Sequence, residues 1–147
     1  MKYLKLGGLI PLFAATAVMA HQGVQNATVK ARMEAMSEIA ANMKTLGKMA
    51  QGAIEFDAAV ARTAATVIAQ QAAMTTTLFA PRETDPLSEA KPLIWDDFDG
   101  FSGKAQDMEG VALAVSRSVQ NIGDVKAALG ALGETCKSCH AVYRAKK

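Results

Sequence analysis

The sequence predicts an all-α protein, an antiparallel four-helix bundle. Apolar residues recur at alternating spacings of three and four in four separate segments, the signature of a helix buried along one side. The composition is rich in Ala, Met, Lys and Gln, with few β-branched runs, and so favours helix. The three-four alternation makes a narrow seam suited to packing at about 20° between helices. Four such helices with short connections form an antiparallel bundle.

The chain starts with a segment that is not expected to join the fold. Lys2 and Lys5 give a positive start, Leu6 to Val18 are predominantly apolar, and Val18-Met19-Ala20 offers a small-residue cleavage site. The apolar run is shorter than the ~20 residues that span a bilayer. Residues 1–20 therefore read as a cleaved secretory signal peptide, with an uncleaved membrane anchor as the alternative. Residues 21–147 form one domain by length, and no later segment is long and apolar enough to span a membrane.

The first helix carries Val29, Met33, Met36, Ala40, Met43, Leu46 and Ala50 on its inward stripe, with Asn26 or Thr28 as N-cap and Gly52 as stop. The second opens at Asp57 and runs through Val60, Thr63, Val67, Met74 and Leu78 until Pro81 ends it. Residues 80–91 form a polar loop. Pro92 opens the third helix, whose stripe of Ile94, Phe98, Phe101, Ala105, Met108, Ala112, Val115 and Val119 is unbroken. Gly100, Gly103 and Gly110 weaken its propensity, so packing must hold it. Gly123-Asp124 marks a break and a cap, and the last helix carries Val125, Leu129, Leu132, Cys136, Cys139 and Tyr143.

Near the end stands Cys136-Lys137-Ser138-Cys139-His140, the Cys-x-x-Cys-His pattern of c-type haem attachment. Each sulfur adds to one haem vinyl group, and the histidine becomes an axial ligand of the iron. The spacing suits this, because residues three apart lie on one face of a helix. A zinc site needs about four ligands, and the chain has two cysteines and two histidines, one of them His21. A thioredoxin-like dithiol would accompany a βαβ pattern. A disulfide between the two cysteines would leave His140 without a role. Such bundles hold cofactors between facing helices, so a covalently bound haem c would be attached through the fourth helix and covered by the first. With only eight aromatic residues in the chain, the ring itself would supply much of the buried apolar surface, and the haem-free protein is expected to pack loosely.

Charge gives nucleic-acid binding no support. The chain has 16 Lys and Arg against 14 Asp and Glu, and loss of Lys2 and Lys5 would balance the two, leaving no general basic excess. Acids dominate from Arg82 to Glu109 and bases from Arg117 onward. A solvated surface accounts for both, and bases near the haem motif could also steer an acidic redox partner.

With the motif near the C-terminus and followed by Tyr143-Arg144, with Ile94-Trp95 opening the third helix and Arg32 four residues before Met36, the mature chain resembles a class II cytochrome c, the cytochrome c-prime family. The resemblance implies the same bundle and a carrier with no catalytic residues, while the signal peptide together with the haem motif points to export to the periplasm. By position it implies that Arg32 lies near a haem propionate and that Arg144 borders the proximal face, tuning His140 or pairing with a carboxylate. Met36 falls at the distal position that divides the family. There it either ligates the iron, giving His/Met coordination and electron transfer, or caps a five-coordinate iron that binds nitric oxide or carbon monoxide. The segment Asn42 to Gly47 resembles the His/Met branch, which makes a periplasmic electron carrier the leading expectation. His21, at the expected mature N-terminus, is a poor second ligand. Family members often dimerise through the first two helices, and Ala58, Ala61, Ala64 and Ala65 are compatible with that. The redox partner is not specified by the sequence.

Overall fold

The computed structural model describes residues 23–146. The signal-peptide segment and His21 lie outside the described residues. Among the described residues five helices follow one another: α1 (Ala27–Ala50), α2 (Ala58–Phe79), a single-turn α3 (Leu93–Asp96), α4 (Phe98–Ser118) and α5 (Ile122–Tyr143). Asn26 is the N-cap of α1, its side chain accepting from the Val29 amide at 3.0 Å. Past the α1 end, Gly52 takes the left-handed conformation at φ 71°, which a glycine adopts without strain. Asp57 caps α2 by accepting from the Ala59 and Val60 amides. At the start of α5, Asn121 and Asp124 form a reciprocal capping box, so the helix begins just before the predicted break.

The long helices form the expected bundle. α1 packs against α2 and α5, and α4 packs against the same two. Neighbours run antiparallel, as side chains near one end of a helix reach the opposite end of the next. Arg62 early in α2 donates to the Val119 carbonyl just past α4, and Arg32 early in α1 donates to the Leu78 carbonyl late in α2.

Three expectations need correction. The third helix is not continuous: it breaks at Asp97, whose backbone is non-helical at φ −131° and ψ 55°. The inward stripe of α2 is also different. Val60 and Met74 are 43% and 50% exposed and Thr63 is exposed, while Ala61, Ala64, Ala65, Ile68, Ala69, Ala72, Thr75 and Phe79 are buried. Small side chains let α1 and α4 approach α2 closely, and dispersion contacts at that range replace bulk. On α1 the deeply buried set is Val29, Arg32, Ala35, Ile39, Leu46 and Met49. The expected Met33, Met36 and Met43 are half-buried on an adjacent face. α1 therefore serves two neighbours at once, the core and a cleft.

The core is in two parts. Ile39, Leu46, Ile68, Ala112, Val125 and Leu132 are among the residues that fill the end formed by the C-terminal half of α1 and the N-terminal half of α5. Phe79, Ile94, Phe101 and Tyr143 form an aromatic cluster at the other end. Phe101 anchors it, 5.0 Å from the Phe79 ring and edge-on to Tyr143 at 5.4 Å.

Candidate haem site

A cleft of about 720 Å³ opens beside the aromatic cluster, walled by α1, α4 and α5 and bordered by Leu87 to Ala90 of the α2–α3 loop. That volume lies within the range of small-molecule and cofactor pockets, roughly 300–1,000 Å³. All six residues singled out from the sequence line it: Arg32 and Met36 from α1, and Cys136, Cys139, His140 and Arg144 from the end of α5.

Cys136 and Cys139 stand one turn apart on the α5 wall, half-buried and not joined to each other. Burial pushes both thiols up in pKa. At Cys139 the Lys104 ammonium works against that rise and the neighbouring Cys136 adds to it. His140 is exposed into the cleft. Loss of solvent around its ring lowers its pKa, and the Arg144 charge acts in the same direction, while Glu89 opposes them. Two sulfurs one turn apart, followed by an imidazole, all on one wall of a largely apolar cleft, fit a covalently attached haem. Among the described residues no group of three or more His, Cys, Asp and Glu could hold a bare metal ion, so the zinc reading has no ligand set.

Met36 lines the cleft from α1. It packs against both parts of the core, the cluster around Leu46 and Leu132 and the aromatic cluster. Met33 and Met43 line the same wall, and Met108 enters from α4.

The two arginines differ sharply. Arg144 is exposed and pairs with Glu89, with Nε and Nη2 each 2.5 Å from one carboxylate oxygen. Of the two roles implied for it, pairing with a carboxylate is seen directly in this contact, and the effect of its charge on His140 accompanies it. The backbone fastens the same region: Lys91 N–H donates to Tyr143 O and Ala145 N–H to Glu89 O. Arg32 is 2% exposed. Its guanidinium donates to the carbonyls of Leu78, Pro81 and Glu83. Burial lowers its pKa, with the Glu83 carboxylate partly offsetting this.

Two contributors were not singled out from the sequence, and for a third, Tyr143, the sequence did not give the partner. Lys104 lines the cleft from α4; it shares a helix face with Phe101 and Met108, and that register was the available signal. Leu87 to Ala90 border the cleft from what reads as an ordinary polar loop, where no periodicity exists to reveal it. Tyr143 donates to Asp97, a contact between residues 46 apart that no local pattern encodes.

The family model described as cytochrome c' matches residues 27–144. A cytochrome c-556 from Agrobacterium fabrum is 34% identical over 120 residues, covering 81% of this chain and 82% of that protein. A cytochrome c' from Cereibacter sphaeroides is 33% identical over 144 residues, covering 95% and 97% respectively. The solved structure of cytochrome c' from Rhodopseudomonas palustris superposes with a TM-score of 0.77 at 28% identity, over 84% of this chain and 99% of that one. With a bundle of the same shape and a Cys-x-x-Cys-His pattern lining its cleft, the chain belongs to the cytochrome c' family, whose proteins carry one covalently attached haem c.

Proposed function

We propose that the protein is a periplasmic monohaem electron carrier, not an enzyme, with His140 as the proximal and Met36 as the distal axial ligand. The bound haem supplies a one-electron ferric/ferrous couple. The chain's own residues do the rest. Cys136 and Cys139 would hold the macrocycle to α5, His140 would offer the lone pair of its unprotonated ring nitrogen from the same wall, and the apolar side chains of α1 and α4 that line the cleft would limit water near the centre. The observation that supports the reading is the setting of Met36: it lines the same cleft as His140 from a different helix, α1 against α5, and packs against both core clusters. A side chain so held is suited to a fixed ligand, and a filled sixth position keeps reorganisation on electron exchange small.

The second reading is a five-coordinate haem that binds nitric oxide or carbon monoxide. It is favoured by the presence of Met33 and Met43 on the same wall, since methionine also serves as an adaptable apolar filler. Spectroscopy of the purified ferric protein separates the two. Ligation by Met36 gives low-spin bands with a weak sulfur-to-iron band in the near infrared, and Met36→Ala converts the protein to high spin. A high-spin wild-type spectrum, or rapid carbon monoxide binding by the reduced form, overturns the electron-carrier reading.

Export rests on the sequence of residues 1–20, and among the described residues no helix is long and apolar enough to cross a membrane. The partners would be redox proteins that meet the cleft edge near Arg144. A homodimer through the first two helices would have to use the outward side of α2, with Val60 and Met74, because Ala61, Ala64 and Ala65 are buried within the monomer.

A further inference from the structure

The C-terminal turn of α2 ends at Phe79, just before Pro81, so its last carbonyls lack the amide partners that a continuing helix would provide. Helices often meet this need with a basic side chain in their own last turn, but α2 has none. Arg32 supplies it from another helix. Its Nε donates to Leu78 O at 2.9 Å, its Nη1 to Glu83 O at 2.8 Å, and its Nη2 to Pro81 O. Trp95 adds a second donor, its Nε1 reaching Phe79 O at 2.7 Å and Pro81 O at 3.2 Å. The guanidinium also lies over the Phe79 and Trp95 rings, 4.8 and 5.3 Å from their centroids.

This arrangement accounts for a buried cation without a buried carboxylate partner. An isolated charge in the interior is costly, but here it meets the negative end of a helix dipole, three carbonyl oxygens and two aromatic faces. A lysine is a point donor on a flexible stem and does not reproduce a planar fork with three directions.

We infer that Arg32 is a positioning residue, a cap supplied in trans to the end of α2 and shared with Trp95, which fixes the α1 wall of the cleft on which Met36 stands one turn further along. The inference rests on the reading of Met36 as an iron ligand. It differs from the role implied by the family resemblance, a contact with a haem propionate, because the fork is directed at loop carbonyls.

The test uses the haem-loaded protein as wild type, Arg32→Met, Arg32→Lys and Trp95→Phe. Three quantities are measured: the sulfur-to-iron band, amide hydrogen exchange over residues 80–85, and the pH dependence of the reduction potential. The cap predicts that Arg32→Met weakens or abolishes the band and speeds exchange roughly tenfold, as loss of a charge-assisted hydrogen bond implies. Trp95→Phe shows the same two changes to a smaller degree, Arg32→Lys falls between wild type and Arg32→Met, and the pH dependence stays as in wild type. A changed pH dependence in Arg32→Met, with band and exchange unaltered, assigns Arg32 to the propionate and overturns the cap. If wild type itself lacks the band, the Met36 reading fails, and the cap stands or falls on exchange in the two Arg32 variants and Trp95→Phe. If Arg32→Met does not fold or bind haem, unaltered exchange in Trp95→Phe overturns it.

Discussion

The hydroxyl of Tyr143 donates to the carboxylate of Asp97 at 2.5 Å, tying the end of the haem-bearing helix to the break between α3 and α4. Asp97 is the residue whose non-helical backbone makes that break. The Tyr143 ring is buried edge-on against Phe101, so the contact joins the last turn of α5 to the first turn of α4. The bond to Asp97, aided by burial and by the Asp97 charge, pushes the Tyr143 pKa up to about 12.

That shift sets a pH window. The folded pKa of Tyr143 lies above its ordinary value near 10, so the folded state holds the phenolic proton more tightly than the unfolded chain. The stabilisation is complete below about pH 10 and is lost as pH rises through about 12. Urea unfolding of wild type and Tyr143→Phe across this range should show the wild-type advantage shrinking. An advantage that stays constant to the top of the range would show that the bond does not contribute in this way.

Gly100 and Gly110 both lie within α4 yet should respond oppositely to alanine. A Cβ at Gly100 would stand 2.5 Å from Asp97 Oδ2 and 2.7 Å from the Tyr143 hydroxyl, so it must push the bonded pair apart. At Gly110 nothing lies within 4 Å, and alanine there gains helix propensity of up to about 1 kcal/mol. Gly110→Ala is expected to raise the unfolding midpoint and Gly100→Ala to lower it. Equal gains at both positions would mean that the Asp97–Tyr143 contact moves aside at little cost.

How far the sequence carries depends on whether a feature is local. The haem motif, the Asn26 and Asp57 caps and the part of the third stripe from Phe98 to Val119 depend on residues within a turn or two, and each is found where the pattern puts it. The break at Asp97 has no Gly or Pro at that position to announce it, and the side-chain partner of Asp97 lies 46 residues away. The burial of Arg32 is equally non-local, since its acceptors belong to the end of α2 and the following loop. On α2, alanine, valine and threonine surround the helix almost evenly. A stripe defined by the largest side chains therefore follows Val60 and Met74, whereas close helix packing selects Ala61, Ala64 and Ala65.

Asp85 links the α2–α3 loop to the start of α1. One carboxylate oxygen accepts from the Gln25 and Asn26 amides, and the other from the Leu87 amide at 2.9 Å. These bonds, that from Leu87 first, hold its pKa below the ordinary carboxylate value. The stabilisation is present above the unfolded pKa of about 3.9 and is lost as pH falls through the lower folded value. Asp85→Ala should therefore be less stable than wild type at neutral pH, with the gap closing in acid. A gap independent of pH would assign the effect to packing alone.

The Arg144–Glu89 pair invites the opposite expectation. Arg144 is 53% exposed and Glu89 23%, so water and salt screen their attraction, and exposed pairs contribute about 0–1 kcal/mol. A double-mutant cycle with Arg144→Ala and Glu89→Ala should give a coupling energy in that range that falls with added salt. A larger, salt-insensitive coupling would show that the pair is a structural latch for the loop.

The alanine face of α2 gives the sharpest check on the packing. Ala64 is 2% exposed and Met74 is 50% exposed, so the smaller residue carries the tighter constraint. Ala64→Leu forces three extra carbons between α2 and its neighbours, and overpacking of this kind costs about 1–3 kcal/mol. Met74→Ala removes a surface side chain and should change stability by less than about 0.5 kcal/mol in the monomer. For scale, Leu132→Ala, at a side chain with no exposure, should cost about 2–5 kcal/mol through lost burial and the cavity left behind. Denaturation of the three variants at low protein concentration decides the order. If Met74→Ala were as damaging as Ala64→Leu, and the loss grew with protein concentration, the outward face of α2 would be buried in a dimer, and the packing of the isolated chain would not be the relevant one.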